Sequence, residues 1–520
     1  MFDTRKEQEQ AELHRAIWGI ANSLRGSVDG WDFKQHVLGI LFYRYISENI
    51  TAFINAGGNW PAFDYARLSD GEAESFRKSI VKAKGFFILP SELFENVRAA
   101  PGCELSGALE KVFKNIEASP KGIIKACALE GLFSGIDLKS NKLGGTLDKR
   151  NGLLLKLLNG VGEMRLGNYK DNTIDAFGDA YEFLMGMYAV NAGKSGGEYY
   201  TPQEVSELLV RFVAVGKTKV NKVYDPACGA GSLLLKFAKI LGKENVQQGF
   251  FGQDINITAY NLCRINMLLH DISYDKFHIA HGDTLTNPLH GNGGPFDAIV
   301  SNPPYSIKWD GAANPALVSD PRFSPAGALA PKSKADLAFI MHSLSCLANS
   351  GSAAIVCFPG VLYRNGAEQK IRKYLVDNNF IECVAQLPAN LFYGTSVATC
   401  IIALKKSKPS NNTLFIDASQ EFVKFSNRNK LSADNINRIL EAYKLGAGEE
   451  YFARLVPNGL IAGQDYNLSV ANYVPQKDKS EVVDIKALNA EIADIVARGN
   501  ELRREVDAVI AEIEGGSNFE

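Results

Sequence analysis

An amide, two rigid carbonyls and an aromatic ring stand in a row at Asn302-Pro303-Pro304-Tyr305. An amide oxygen beside a fixed carbonyl can accept both hydrogens of one planar amino group. A ring just beyond can stack on the heterocycle that carries the group. The combination suits holding an exocyclic amine while its nitrogen forms a new bond. Asn-Pro-Pro is also an ordinary turn, so these four residues alone leave both readings open. The preceding run, Phe296-Asp297-Ala298-Ile299-Val300, is closed by Ser301 and reads as a buried strand. Two prolines lack a ladder donor and fix φ, so they cannot continue a central strand. The chain therefore leaves the sheet in a stiff, extended turn at a strand's carboxyl end, where ligands bind in open α/β sheets.

Upstream, Val223 to Leu235 reads as strand, glycine turn and helix, with Asp225 and Pro226 opening the turn. Gly229 and Gly231 permit positive φ and close approach of a ligand to the backbone. The helix begun by Ser232 and the leucines after it directs its free N–H groups to the same place. The third glycine of a dinucleotide fingerprint is missing, and no Lys-Ser/Thr follows as in a phosphate-cradling loop. Asp254 follows Gly231 at about the twenty-residue spacing of a ribose-binding acid. Asp283 ends a third candidate strand. A nucleoside cofactor without a pyrophosphate fits this set. A second glycine loop, Gly193 to Gly197, leads into Glu198-Tyr199-Tyr200-Thr201-Pro202. Thr201 is the expected helix cap there, and Pro202 the first helical residue. On its own residues, that segment is a loop and cap packed on the sheet.

Together these stretches resemble the S-adenosylmethionine-dependent amino-methyltransferases, specifically the N6-adenine DNA methyltransferases. Asp225 to Ser232 resembles their motif I, and Asn302 to Tyr305 matches their catalytic Asn-Pro-Pro-Tyr. More closely, the chain resembles the modification (M) subunit of type I restriction-modification systems, through Asp175 to Leu184, Gly196 to Pro202 and Leu387 to Ser396. The resemblance implies a doubly wound, Rossmann-like α/β methyltransferase sheet with an N-terminal helical domain and a C-terminal helical tail. It implies that S-adenosylmethionine is held by Glu198, Tyr199, Tyr200, Thr201, Pro202, Asp225, Pro226, Gly229, Gly231, Ser232, Asp254, Asp283 and Asn302. Catalysis is then expected from Asn302, Pro303, Pro304 and Tyr305 on an adenine flipped out of DNA, with Tyr305 and Phe392 stacking on the base. The implied partners are DNA, a specificity (S) subunit that chooses the target, a restriction (R) subunit and a second copy of M. No metal is expected. Two rivals stay open: methylation of another planar amine or amide, such as a protein glutamine or an RNA base, and an inactive assembly scaffold.

The elements that must position these residues begin near 220, where strands and helices start to alternate, the pattern of a doubly wound sheet. Strands are expected near 221–225, 248–253, 277–281, 296–301, 352–358, 380–386 and 397–404. Helices are expected near 232–241, 257–270, 335–348 and 364–378. Between Tyr305 and Asp336 no periodicity survives, and Lys308, Trp309, Arg322, Lys332 and Lys334 punctuate a Gly/Ala/Pro/Ser-rich stretch. A loop this long is usually functional or disordered, so a lid over DNA and a disordered segment are both expectations. Before 165 the apolar spacing is helical, with Tyr65 to Lys84 read as one helix. Trp31, Phe42, Tyr43 and Arg44 could face DNA there, although aromatics at helical spacing more often form core. At the other end, Ile485, Leu488, Ile492, Ile495, Leu502, Val506, Val509 and Ile513 step by threes and fours, interrupted only at Gly499. That short heptad seam suits docking to another helix, or packing back on its own domain.

Bulk properties set limits. A chain of 520 residues is long for one core. The expected parts are an N-terminal helical domain (1–165), a methyltransferase domain (166–475) and a C-terminal helix (476–520). Hydrophobic content of 46% and charged content of 22% are those of a globular protein. No run is long and apolar enough to span a membrane, and the charged Met1 to Gln10 is unlike a signal peptide. Eight cysteines lack any Cys-x-x-Cys pair, which argues against zinc and for reduced core thiols in a cytoplasmic protein. A net charge of −2 gives little general attraction to phosphates, so DNA recognition is expected to rest largely on a partner.

Overall fold

The computed structural model describes residues 12, 14–15, 17, 19, 30–57, 64–99, 104–124, 129–164, 201–291, 294–392, 395–425, 428–476 and 485–515. Runs rich in Val, Ile and Phe become strands β1 (Val220–Asp225), β2 (Val246–Asp254), β3 (Phe277–His281), β4 (Phe296–Ser301), β5 (Leu347–Cys357), β6 (Ile381–Gln386), β7 (Cys400–Lys405) and β8 (Asn412–Asp417). A separate hairpin pairs β9 (Val423–Phe425) with β10 (Arg428–Lys430), and β11 (Ala453–Pro457) returns to the main sheet. Among the described residues the main sheet has nine strands in the order β11-β8-β6-β7-β5-β4-β1-β2-β3. Strands β3, β2, β1, β4 and β5 run parallel, while β7 lies antiparallel between β5 and β6.

This topology follows from what the chain must bury. Strand side chains alternate between faces, and both faces are apolar. Val223, Ala298, Val300, Val356 and Ile401 join one core, whereas Tyr224, Ile299, Ile355, Ile402 and Phe415 join the other. Helices α1 (Gln203–Ala214), α2 (Ser232–Leu241) and α3 (Ile257–Leu269) cover the first face; α4 (Asp336–Cys346) and α5 (Ala367–Asp377) cover the second. The doubly wound α/β class expected from the alternation is the class found.

Before β1 the described elements are helical. Gly30–Gly57, Leu105–Ala118 and Leu147–Glu163 are the long ones. Their buried side chains join the core on the first face of the sheet, and the Tyr45 hydroxyl donates to the Leu268 carbonyl at 2.8 Å. The span 65–84 is a series of short turns ending in the helix Arg77–Lys84, because Ser69 caps a new helix with Glu72 and interrupts the run. Phe42 and Tyr43 are fully buried, and the Arg44 guanidinium donates to the Val161 and Met164 carbonyls. All three are core residues, as their helical spacing favoured. The Trp31 side chain lies outside the described residues.

Two strand starts differ by three residues or more from expectation. Strand β5 starts at Leu347, directly after α4, and β7 starts at Cys400. Strands β8 and β11 were not anticipated; short and partly polar, they extend the sheet beyond β6. The described cysteines are free thiols, and all but Cys346 are buried. No described helix is long and apolar enough to cross a membrane. The chain divides into two units, Met1–Val474 and Pro475–Glu520. The described part of the second is one helix, α6 (Ile485–Gly515), with Leu488, Ile492, Ile495, Leu502, Val506 and Val509 all exposed.

Candidate active site at the β1–β4 crevice

The strand order reverses between β1 and β4, and a crevice opens beyond their carboxyl ends. Both expected motifs lie there. Tyr224 of β1 pairs with Ile299 of β4, so the glycine turn after Asp225 and the Asn-Pro-Pro-Tyr turn after Ser301 emerge side by side. The Ser301 hydroxyl bridges them, donating to Asp225 Oδ1 at 2.8 Å, and the same oxygen accepts from the Ala227 N–H at 3.0 Å. Asp225 is 1% exposed, and burial pushes its carboxyl up to about 7.

The Asn-Pro-Pro-Tyr turn is held at three points. Ser301 fixes its entry. Asn302 Nδ2 donates to Thr201 Oγ1 at 3.1 Å, while Asn302 Oδ1 accepts from the Tyr305 hydroxyl at 2.5 Å, so the amide is gripped from both ends. At the exit, both carboxylate oxygens of buried Asp336 accept from the Ser306 N–H at 3.1 Å, and Ser306 takes a φ of 51°. Thr201 was expected to cap a helix. Instead α1 starts at Gln203 with Pro202 at its cap position and no side-chain cap, because the Thr201 hydroxyl is engaged by Asn302. The Tyr305 ring is half-buried and meets Phe392 edge-on at 6.3 Å and Phe358 at 6.4 Å. Phe392 is 2% exposed, a wall behind Tyr305.

In the glycine turn, Gly229 has φ 52° and Gly231 has φ 82°. A Cβ on Gly231 would stand 2.7 Å from Cys263 Sγ, so glycine is required there for packing as well as for conformation. Asp254 closes β2 with Oδ2 accepting from the Gly229 N–H at 2.9 Å and Oδ1 accepting from the Asn256 N–H at 2.8 Å. Each oxygen keeps a lone pair. Asp283, two residues past β3, accepts from the Leu285 N–H and the Thr286 hydroxyl. Thr284 then donates to the Pro226 carbonyl at 2.6 Å, tying this loop to the glycine turn. Three carboxyl groups thus ring a turn, Asp225 to Ser232, that carries no Lys or Arg. A set of hydrogen-bond acceptors with no cation in the turn is a poor cradle for phosphate and suits sugar hydroxyls, which fits a nucleoside without a pyrophosphate. Glu198, Tyr199 and Tyr200 lie outside the described residues.

The stretch between Tyr305 and Asp336 is packed over the second face. Trp309, Leu317 and Phe323 are buried in that core. Arg322 is its main anchor, pairing with Asp320 at 2.7 Å and donating to the Thr284 and Leu285 carbonyls at 3.0 and 2.7 Å. It also meets Nδ1 of buried His342 at 3.0 Å, whose Nε2 faces the Tyr224 hydroxyl. Burial and the Arg322 charge hold His342 down to about 3, so its imidazole stays neutral. Sequence reasoning missed Ser301, Asp336, Arg322 and His342 as parts of the site. Lone polar residues in apolar runs carry no local signal of a partner 20 to 118 positions away.

A family model for N-6 DNA methylase matches residues 172–482. The chain belongs to the N-6 DNA methylase family. A model for the HsdM N-terminal domain matches residues 13–161 of this methylase. It is 46% identical to the type I restriction enzyme MpnII methylase subunit of Mycoplasma pneumoniae, over 98% of each chain. It is 31% identical to the MjaVII methylase subunit of Methanocaldococcus jannaschii, over 79% of this chain and 69% of that one. Its structure is similar to the crystal structure of a type I restriction-modification methyltransferase subunit from Streptococcus thermophilus. The TM-score is 0.81 at 34% identity, covering 89% of this chain and 99% of that one. The methylase is thus a type I methylase subunit by sequence and by fold.

Proposed function

We propose that this methylase subunit transfers a methyl group from S-adenosylmethionine to the N6 amine of an adenine flipped out of DNA, at targets chosen by a specificity subunit. The observation that carries the reading is the clamped amide of Asn302, set between Thr201 and Tyr305 at the mouth of the β1–β4 crevice. N6 of a paired adenine is inaccessible, so the base must leave the duplex. The second lone pair of Asn302 Oδ1 and the Pro303 carbonyl accept the two amine hydrogens, which localises the nitrogen lone pair that otherwise delocalises into the purine. Pro304 stiffens the turn. Tyr305 stacks on the base, worth about 1–3 kcal/mol, with Phe392 and Phe358 fixing its ring.

The cofactor contacts follow the same geometry. Asp254 receives the ribose hydroxyls, Asp283 the adenine edge, and Gly229, Gly231 and Ser232 let the nucleoside approach the backbone. Asp225 and Pro226 shape the floor, and the family resemblance assigns Glu198 to Pro202 to the methionine end. When bound, S-adenosylmethionine supplies an electrophilic methyl group. The chain supplies position and fixed dipoles, which lower the barrier without a strong base.

The reading includes a division into helical (1–165), methyltransferase (166–475) and docking (476–520) parts, a cytoplasmic setting, and assembly with a specificity subunit, a restriction subunit and a second methylase copy. The exposed apolar seam of α6 supports docking to another helix. The test is tritiated-methyl transfer from S-adenosylmethionine to duplex DNA by the chain alone and with its specificity subunit. Transfer only in the pair is expected; transfer by the chain alone would relocate target choice into this chain.

A further inference from the structure

The hairpin of β9 and β10 gathers Phe422, Val423, Lys424, Phe425, Arg428 and Lys430 on one small projection. Val423 and Phe425 are 46% and 58% exposed, a large apolar exposure for so short an element. Lys424 Nζ lies 5.1 Å from the centre of the Phe422 ring, and Lys430 Nζ lies 5.5 Å from that of Phe425. Each ring thus props up an ammonium group, and among the described residues neither lysine is engaged in an ion pair. The acid preceding the hairpin, Glu421, is occupied elsewhere, by Arg438 at 2.6 Å and Asn435 at 2.9 Å. The projection is therefore cationic on a chain whose net charge is −2.

Its base is fixed to the active site. Buried Asn429 donates its N–H to the Asn390 carbonyl at 3.0 Å and its side-chain amide to the Ala389 carbonyl at 2.7 Å. Arg428 donates to the Leu391 carbonyl at 3.3 Å. The next residue is Phe392, the ring edge-on to Tyr305. On the other side, Lys430 and Arg428 act electrostatically on Glu204, in the first turn of α1, three residues from the Thr201 that grips Asn302. A cationic projection so anchored stands beside the mouth through which a flipped base must pass.

We infer that this hairpin is a DNA-backbone contact, in which Lys424 and Lys430 pair with phosphates flanking the target base while Arg428 and Asn429 fix its position relative to Tyr305. The inference rests on the DNA-methylation reading. Phosphates fit better than a protein partner because Lys424 and Lys430 are ring-supported, form no ion pair among the described residues, and stand on the hairpin tied to the Phe392 segment. Each phosphate contact adds about 0.9 to the slope of log affinity against log salt. The test uses the assembled enzyme and a duplex that the wild type methylates, with the Lys424→Ala/Lys430→Ala variant. The expected result is a salt slope shallower by about 2, DNA affinity down about tenfold or more at low salt, and unchanged S-adenosylmethionine affinity. At saturating DNA, kcat stays within about twofold, and Lys424→Arg/Lys430→Arg restores the slope. Both lysines are exposed, so folding is not at stake. An unchanged slope and affinity would overturn the inference. So would weakened subunit assembly at unchanged DNA affinity, which would make the hairpin a protein contact. A wild-type assembly that methylates no duplex would remove the DNA reading itself, and this inference with it.

Discussion

Asn302 is hydrogen-bonded on both sides of its amide, to Thr201 ahead of α1 and to Tyr305 within its own turn, and that makes it the most informative residue to change. Asn302→Ala removes the proposed acceptor for the substrate amine and releases Tyr305, while Asp254 and the glycine turn stay intact. Methyl transfer should fall by about 100-fold or more, the scale of losing one preorganised polar group. Cofactor affinity, read by calorimetry, should change by a few-fold at most. Asp225 gives a prediction in pH. Burial raises its folded carboxyl to about 7, whereas the unfolded group titrates near ~4. The folded chain therefore holds a proton that the unfolded chain has lost. The stability this contributes is whole below about pH 4, declines as pH rises to about 7, and is flat above. Asp225→Asn keeps an acceptor for Ala227 and Ser301 but does not titrate. Denaturant unfolding from pH 5 to 8 should show the variant gaining on wild type by roughly 2–4 kcal/mol; a difference independent of pH would contradict a buried neutral acid. At this scale the contiguous motif was legible in the sequence and its supports were not. Asn-Pro-Pro-Tyr is contiguous, but Ser301 to Asp225 and Asn302 to Thr201 are contacts across 76 and 101 positions.

At the scale of elements, the glycine turn and the packed stretch after Tyr305 frame the site from opposite sides. Gly231→Ala meets Cys263 at 2.7 Å and forces a side chain into φ 82°. It should cost about 1–3 kcal/mol and weaken cofactor binding, measurable together by thermal shift with and without S-adenosylmethionine. The stretch 306–335 was the least legible part of the chain. Arg322 anchors it, pairing with Asp320 inside the stretch and reaching the β3–β4 connection and α4 outside it. Arg322→Met should raise amide exchange across 306–335 while strands β1 and β4 stay protected; protection unchanged in the loop would show that Trp309 and Phe323 alone hold it. By contrast, β1, β4 and their helices were readable from periodicity, because both faces of a parallel sheet demand apolar runs. Strands β8 and β11 were not, since short strands that include polar residues resemble loops.

At the scale of the molecule, a nearly neutral chain presents the β1–β4 crevice in one unit and, in the other, a helix whose apolar seam is exposed. The heptad spacing was plain in the sequence, whereas what the seam packs against is a property of the assembly. Deleting 477–520 should leave the Tm of the remaining chain within about 2 °C, because no core residue of the first unit is removed. Co-purification with a specificity subunit should be lost; retained assembly would assign docking to another surface. The central claim concerns the reacting atom. The most direct measurement is tritiated-methyl transfer to DNA by the assembled enzyme, wild type and Asn302→Ala, followed by digestion to nucleosides and chromatography. Label is expected in N6-methyladenine for the wild type and almost none for the variant. Label on another base, or undiminished transfer by Asn302→Ala, would contradict it.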